Sequence, residues 1–262
     1  MEWILAALLG GFLAFNSAVT PDKAAQLAQK SLQEKFPSSQ VKVEMEGKRG
    51  NDVLNGKFKR VRIEINDLNV GELPMSAASG EKPKKIGHAK NVELSLKNAK
   101  LGATRVQSAD LQFTDLRYDL DALKERSQFS LVGFGSAKLS LALQAAQLQP
   151  LLAPKVSGAQ NVELSLQNDT LTVSGTRTVL GFPAPFSWSA TPVFRGPELM
   201  LENQKLLVSG LPVPAHVARQ IVGEVKSVYS LSNLGNLPFR VEVKRVLARN
   251  QTLQIEADLL AK

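Results

Sequence analysis

Residues Asn91–Leu96 read Asn-Val-Glu-Leu-Ser-Leu, and the same six residues return at Asn161–Leu166. Extended outward, residues 89–101 (AKNVELSLKNAKL) match residues 159–171 (AQNVELSLQNDTL) at 9 of 13 positions. Successive side chains of a strand point to opposite faces. Val92, Leu94 and Leu96 therefore share one face, and Asn91, Glu93 and Ser95 share the other. Each copy reads as an amphipathic strand with a dry side and a wet side. Two near-copies predict two similarly placed strands of one curved sheet; a chance echo between strands of the same binary pattern is the alternative. There is no third copy, so a solenoid is not expected.

The same period of two extends along the chain. Val41, Val43 and Met45 alternate with charged residues, as do Val61, Ile63 and Ile65 in KRVRIEI. Leu111 and Phe113, Leu139 to Leu143, Leu171 and Val173, Leu206 and Val208, Val241 and Val243, and Leu253 and Ile255 continue the series. Turn residues punctuate it at Asn98, Asn168-Asp169, Glu202–Gln204 and Asn250-Gln251. Residues 72–90 read as a mobile basic loop.

Helical patterns are few. Thr20-Pro21-Asp22 is a helix start, with a cap, a first-turn proline and an acid at the positive end of the dipole. Ala24, Ala28, Leu32 and Phe36 then recur on one face, and Pro37 ends the run. A second helix is expected over Ala215–Ser230, with Val217, Ile221, Val225 and Val228 along one side. Shorter ones are expected at Asp119–Arg126 and at Ala145–Leu152, where Pro150 would distort the backbone. The fold class is therefore mostly β (α+β), with antiparallel strands and two main helices.

The chain has 262 residues, no cysteine and a net charge of +8. Disulfides and thiolate chemistry are excluded. The positive charge points to an acidic partner, such as anionic lipid, an acidic glycan or nucleic acid. Trp3–Phe15 is an uncharged apolar run followed by small and polar residues. Its length fits the core of a signal peptide and is short for a membrane span. Residues 1–19 are thus expected to be a signal peptide or an N-terminal anchor. Residues 20–262 then form a single domain outside the cytoplasm, in the cell envelope or periplasm.

No motif for catalysis stands out. The two histidines, His88 and His216, allow no His-rich metal cluster, and no HExxH, GxSxG or P-loop occurs. No cofactor or metal is expected, and the chain is read as a non-enzyme. The basic runs KFKRVRI (57–63) and FRVEVKRV (239–246) resemble a basic sheet face, but aromatic residues make up only 6% of the chain and no RNP, KH or helix-turn-helix pattern accompanies the runs. Nucleic acid is therefore set aside as a partner.

The segment LPFRVEVKRVLARNQTLQIEADL (237–259) resembles the C-terminal signature of the LmeA-like phospholipid-binding family of bacterial envelope proteins. Leu237, Pro238, Phe239, Val241, Val243, Val246, Leu253 and Ile255 hold the signature's apolar places. LNGKFKRVRIEINDLNV (54–70) is similar to the family's early strand, and GSAKLSLALQAAQLQPLL (135–152) to its central strand and helix. The resemblance implies an elongated, mostly antiparallel sheet wrapped around helices, like that of tubular lipid-binding proteins. It also implies phospholipid binding in the envelope, with a role in envelope lipid or lipoglycan metabolism or transport. It carries over no catalytic residue.

Apolar strand faces serve either a dry core or, if the helices fill them only partly, a groove for acyl chains. For the groove, Val61, Ile63, Ile65, Leu94, Leu96, Leu139 and Leu141 are expected to face Val217, Ile221, Val225 and Val228. Arg60, Arg62, Lys244 and Arg245 are the candidate contacts for an anionic headgroup. The alternative function is an adaptor that docks a basic face on anionic membrane or glycan.

Overall fold

The computed structural model describes residues 20–48, 50–70, 83–101, 104–122, 130–153, 156, 158–179, 181–214, 216, 218, 229–231 and 239–261. The expected leader and the groove-facing Val217, Ile221, Val225 and Val228 lie outside these, as do Leu237 and Pro238. The chain divides into two compact units. The first is Met1–Leu141, Leu234–Glu242 and Ala257–Lys262; the second is Ala142–Asn233 and Val243–Glu256.

The first unit opens with helix α1 (Pro21–Lys35). Thr20 caps it, its hydroxyl accepting the Lys23 N–H at 3.4 Å, and Asp22 and Lys35 sit at the favourable ends of the dipole. Ala24, Ala25, Ala28 and Leu32 form its buried stripe. The Gln29 side chain accepts the N–H of Val43 at 3.2 Å. That bond occupies an edge donor of β1 (Gln40–Glu46), the outermost strand of a nine-stranded sheet. A covered edge cannot recruit another strand.

Strand β1 pairs antiparallel with β2 (Lys57–Asn66), aligning Val41, Val43 and Met45 with Ile65, Ile63 and Val61. The short helix α2 (Asn51–Leu54) connects them. Strand β2 then runs parallel to β4 (Ile86–Leu101), as does β3 (Asn69–Val70). These parallel pairs are the exception in a mostly antiparallel sheet. Parallel neighbours need a crossover of a dozen or more residues, and the sequence interval between Asn66 and Ile86 is long enough for one. The start of β4 shortens the expected basic loop, because Ile86–Lys90 are already strand. Strand β4 pairs antiparallel with β5 (Thr104–Asp119), whose far end adds β6 (Leu131–Gly133). The sheet continues through β7 (Ser136–Gln144), β15 (Thr252–Ala261) and β14 (Phe239–Arg249), in the order β1-β2-β4-β5-β7-β15-β14.

After β5 the chain turns helical at Leu120–Ala122. Asp119 caps this turn by accepting the N–H groups of Asp121 and Ala122 at 3.0 and 2.9 Å. The rest of the expected helix to Arg126 lies outside the described residues.

The first helix of the second unit is α3 (Ala145–Leu152), which includes Pro150. A capping box closes its start, with the Gln147 side chain accepting the Gln144 N–H at 2.9 Å. A six-stranded sheet follows. Its strands are β8 (Ala159–Gln167), β9 (Thr170–Val179), β10 (Phe182–Arg195), β11 (Glu198–Val208) and β12 (Leu211–Pro212). Strand β13 (Tyr229–Ser230) adds to β11, so these two residues are strand and do not end a helix as expected. Leu164, Leu166, Leu171, Val173, Phe186, Trp188 and Leu199 form the unit's dry interior. Glu202–Gln204 is not a turn: β11 runs through it, with a bulge where residues 203–204 oppose Ala190.

The two NVELSL copies therefore occupy different sheets, which corrects the expectation of one. The first is an inner strand, flanked by β2 and β5; the second, β8, ends the six-stranded sheet. Binary pattern specifies which face of a strand is dry, not which strand lies beside it.

Candidate functional site

Seven of the residues expected to line a groove share one apolar face in the first unit. The parallel register of β2 and β4 sets Ile63 beside Leu94 and Ile65 beside Leu96, with Val61 beside Val92. Strand β5 extends the rows with Leu111 opposite Leu94 and Phe113 opposite Val92. Leu139 and Leu141 belong to β7. All seven are between 0 and 5% exposed. At one end of this face, Phe113, Phe134 and Phe239 meet edge to face, with centroids 5.8 to 6.5 Å apart. The face is closed over by protein in this structure.

Arg60 and Arg62 lie on the wet side of β2, and the structure brings them together through an acid of the first NVELSL copy. One Arg60 nitrogen donates to both oxygens of Glu93, at 2.8 and 2.9 Å. Arg62 reaches Glu64 at 3.0 Å and Glu93 at 3.8 Å. Register explains the meeting: Arg60 stands opposite Asn91 and Arg62 opposite Glu93. The two cations are thus balanced by carboxylates of their own sheet.

Lys244 and Arg245 are placed differently. They line an open cleft of about 290 Å³ within the second unit. Its walls are Thr191–Phe194 of β10 and Val243–Val246 of β14, with Ala248 and Asp169 at one end. Along β14 exposure alternates until Lys244 and Arg245, where two successive residues are both exposed. A regular strand would send these two cations to opposite faces. Here the break in alternation brings both to water beside half-buried Val243 and Val246.

Two hairpin turns fix the acidic end of the cleft. Asn168 and Asp169 have φ of 51° and 57°, and Asn250 and Gln251 have 50° and 61°. Positive φ at both central residues is the type I′ hairpin turn, matched to the twist of the strands it joins. The turns grip each other. Asp169 accepts the Ala248 N–H at 3.2 Å and the Arg249 guanidinium at 3.3 Å. The Gln251 side chain accepts the Leu166 N–H at 3.1 Å, and the Gln251 backbone N–H donates to the Leu166 carbonyl at 3.0 Å. The Arg249 hydrogen bond, opposed by partial desolvation and helped by the Ala248 N–H, holds the Asp169 carboxyl below its ordinary pKa. It therefore stays ionised and neutralises Arg249.

The cleft wall Thr191–Phe194 and the Asp169 brace were not expected from the sequence. The wall's only signal is the short apolar run PVF (192–194), and Asp169 was legible only as part of a turn. Among the described residues, no group of three or more His, Asp or Glu could hold a metal ion, and no helix is long and apolar enough to cross a membrane.

A cleft joining paired cations to apolar walls has the chemistry of an amphiphile site. Comparison with known proteins gives it a family. No curated protein and no solved structure matches the chain. The family model described as LmeA-like phospholipid-binding matches residues 86–258, about two-thirds of the chain, from the first NVELSL strand through both walls of the cleft. The chain belongs to the LmeA-like phospholipid-binding family.

Proposed function

We propose that the protein is an exported phospholipid-binding protein of the cell envelope, and that the cleft of the second unit receives the anionic headgroup. The observation that carries this reading is the pairing of Lys244 and Arg245 beside Val243 and Val246. Lys244 would act on a phosphate as a compact charge, and Arg245 as a planar fork. Val193, Phe194, Val243 and Val246 would take the first methylenes of the acyl chains, at about 0.8 kcal/mol per buried CH₂. The cleft volume is at the small end for ligand sites, so it fits a headgroup and the start of its tails. The role is to hold or move phospholipid for envelope lipid or lipoglycan metabolism.

The test is native mass spectrometry of the chain purified from a bacterial host in mild detergent, followed by lipid extraction. The expected result is stoichiometric phospholipid, reduced at least about tenfold in a Lys244→Glu/Arg245→Glu variant that keeps its melting temperature. A well-folded chain without lipid overturns the function. Undiminished lipid in the variant overturns the headgroup site.

A further inference from the structure

The dry face of the six-stranded sheet runs past the core that covers it. Phe186 is buried, and along its cross-strand row lie Val208 of β11 and then Leu211 of β12. Leu211 is 72% exposed. Phe182, four residues from Phe186 and on the same face of β10, is 75% exposed. The two side chains are on the order of 15 Å apart by strand geometry. They sit at the tips of neighbouring hairpins, β9–β10 and β11–β12. A Ser209 N–H bond to the Pro185 carbonyl, at 2.8 Å, ties the hairpins together.

Two observations name what covers this tip. The first is its backbone. The Pro185 carbonyl points towards β11, so the nitrogens of Pro183 and Pro185 face that same edge, beyond the last β11 partner. Neither carries an N–H. An added strand, from another protein or from a second copy, would find no donors there. The second is charge. Residues 170–197 and 203–214, which include the strands of the tip, contain no Asp or Glu, while Arg177 and Lys205 stand on those strands. Apolar side chains at a strand edge without donors, on an acid-free and basic surface, suit an anionic bilayer. They offer hydrocarbon contact at the interface and attraction to its surface charge.

We infer that the tip bearing Phe182 and Leu211 docks the protein on anionic phospholipid membrane. This surface is separate from the Lys244–Arg245 cleft, which the other end of β10 helps to wall. The inference extends the lipid-binding reading and rests on it only for the class of partner.

The experiment uses the full chain and vesicles of phosphatidylcholine with about one-third phosphatidylglycerol, some carrying brominated acyl chains. In Phe182→Trp, the introduced indole should be quenched by brominated lipid beyond the quenching of the unsubstituted chain, whose tryptophans are Trp3 and the buried Trp188. Phe182→Ser/Leu211→Ser should weaken vesicle flotation about tenfold and leave co-purified phospholipid unchanged. An introduced indole whose fluorescence is indifferent to brominated lipid overturns the inference. So does equal flotation of the double variant, or a self-association that the double variant abolishes. Loss of co-purified lipid in a Lys244→Glu/Arg245→Glu variant that still floats leaves the docking tip standing, so the two readings fail separately.

Discussion

Asn98 and Asn168 hold equivalent places in the two repeats, and both adopt left-handed backbone, with φ of 51°. Their outcomes diverge through the following residue. In the second copy Asp169 also takes positive φ, and the chain reverses. In the first copy Ala99 returns to the strand and is buried, so Asn98 makes a kink inside β4. Lys97 pairs with Ser108 and Ala99 with Val106 across it. Reading Asn98 as a turn was therefore right about its backbone and wrong about its consequence. Asn tolerates positive φ in either setting, and only the next residue distinguishes them. Asp169 supplies a residue-scale prediction. Its folded pKa is depressed, so its contribution is present above the unfolded carboxylate value and lost as pH falls through the folded one. In acid titrations followed by circular dichroism, Asp169→Asn should lose less stability between neutral pH and about pH 2 than the unsubstituted chain.

Tyr118 is the other residue on which local structure turns. Its hydroxyl is buried and donates to the Gly56 carbonyl at 2.8 Å, and burial pushes its pKa well above the usual phenol value. A Cβ on Gly87 would collide with the Tyr118 ring. Gly87→Ala should cost about 2–3 kcal/mol by overpacking, and Tyr118→Phe about 1 kcal/mol for one lost hydrogen bond. Both are read as shifts of the urea midpoint at constant slope. Period-two reading had no means of finding this contact. It joins residues far apart in sequence, through a glycine that carries no pattern.

Elements were legible where both faces of a strand differ in polarity. Strands β1, β2, β4 and β7 alternate as the sequence does, and α1 starts at its expected cap. The parallel pairing of β2 and β4 was hidden, because an amphipathic strand looks the same in either direction. The partners on the wet face were hidden as well. Arg60 and Arg62 resemble an anion site in sequence, yet register sets them against Glu93. Such partly exposed pairs add little stability. Glu93→Gln should therefore barely change the melting temperature. Leu94→Ala, on the dry side of the same strand, should cost about 2–5 kcal/mol. Differential scanning calorimetry distinguishes the two.

For the whole molecule, a mostly β fold was readable from the repeated alternation, and the family from the last strands. The cleft was half readable. Lys244 and Arg245 were visible as a basic pair, but its facing wall, Thr191–Phe194, lies on a strand distant in sequence and joins it only through folding. Charge at this scale also predicts salt dependence. Headgroup capture by exposed cations should weaken as ionic strength rises past about 0.15 M, whereas contacts to acyl chains should not. Lipid retention measured across a salt series should therefore fall to a plateau, not to zero.

The division of the chain between its units has a consequence for synthesis. Each unit draws on the C-terminal segment: the first takes Leu234–Glu242 and Ala257–Lys262, the second Val243–Glu256. Neither can close while the ribosome still holds that segment. Strand β7 keeps an unpaired edge until β15 has been made, so neither unit folds from its early segments alone, and that open edge is a template for mispairing until the later strands arrive.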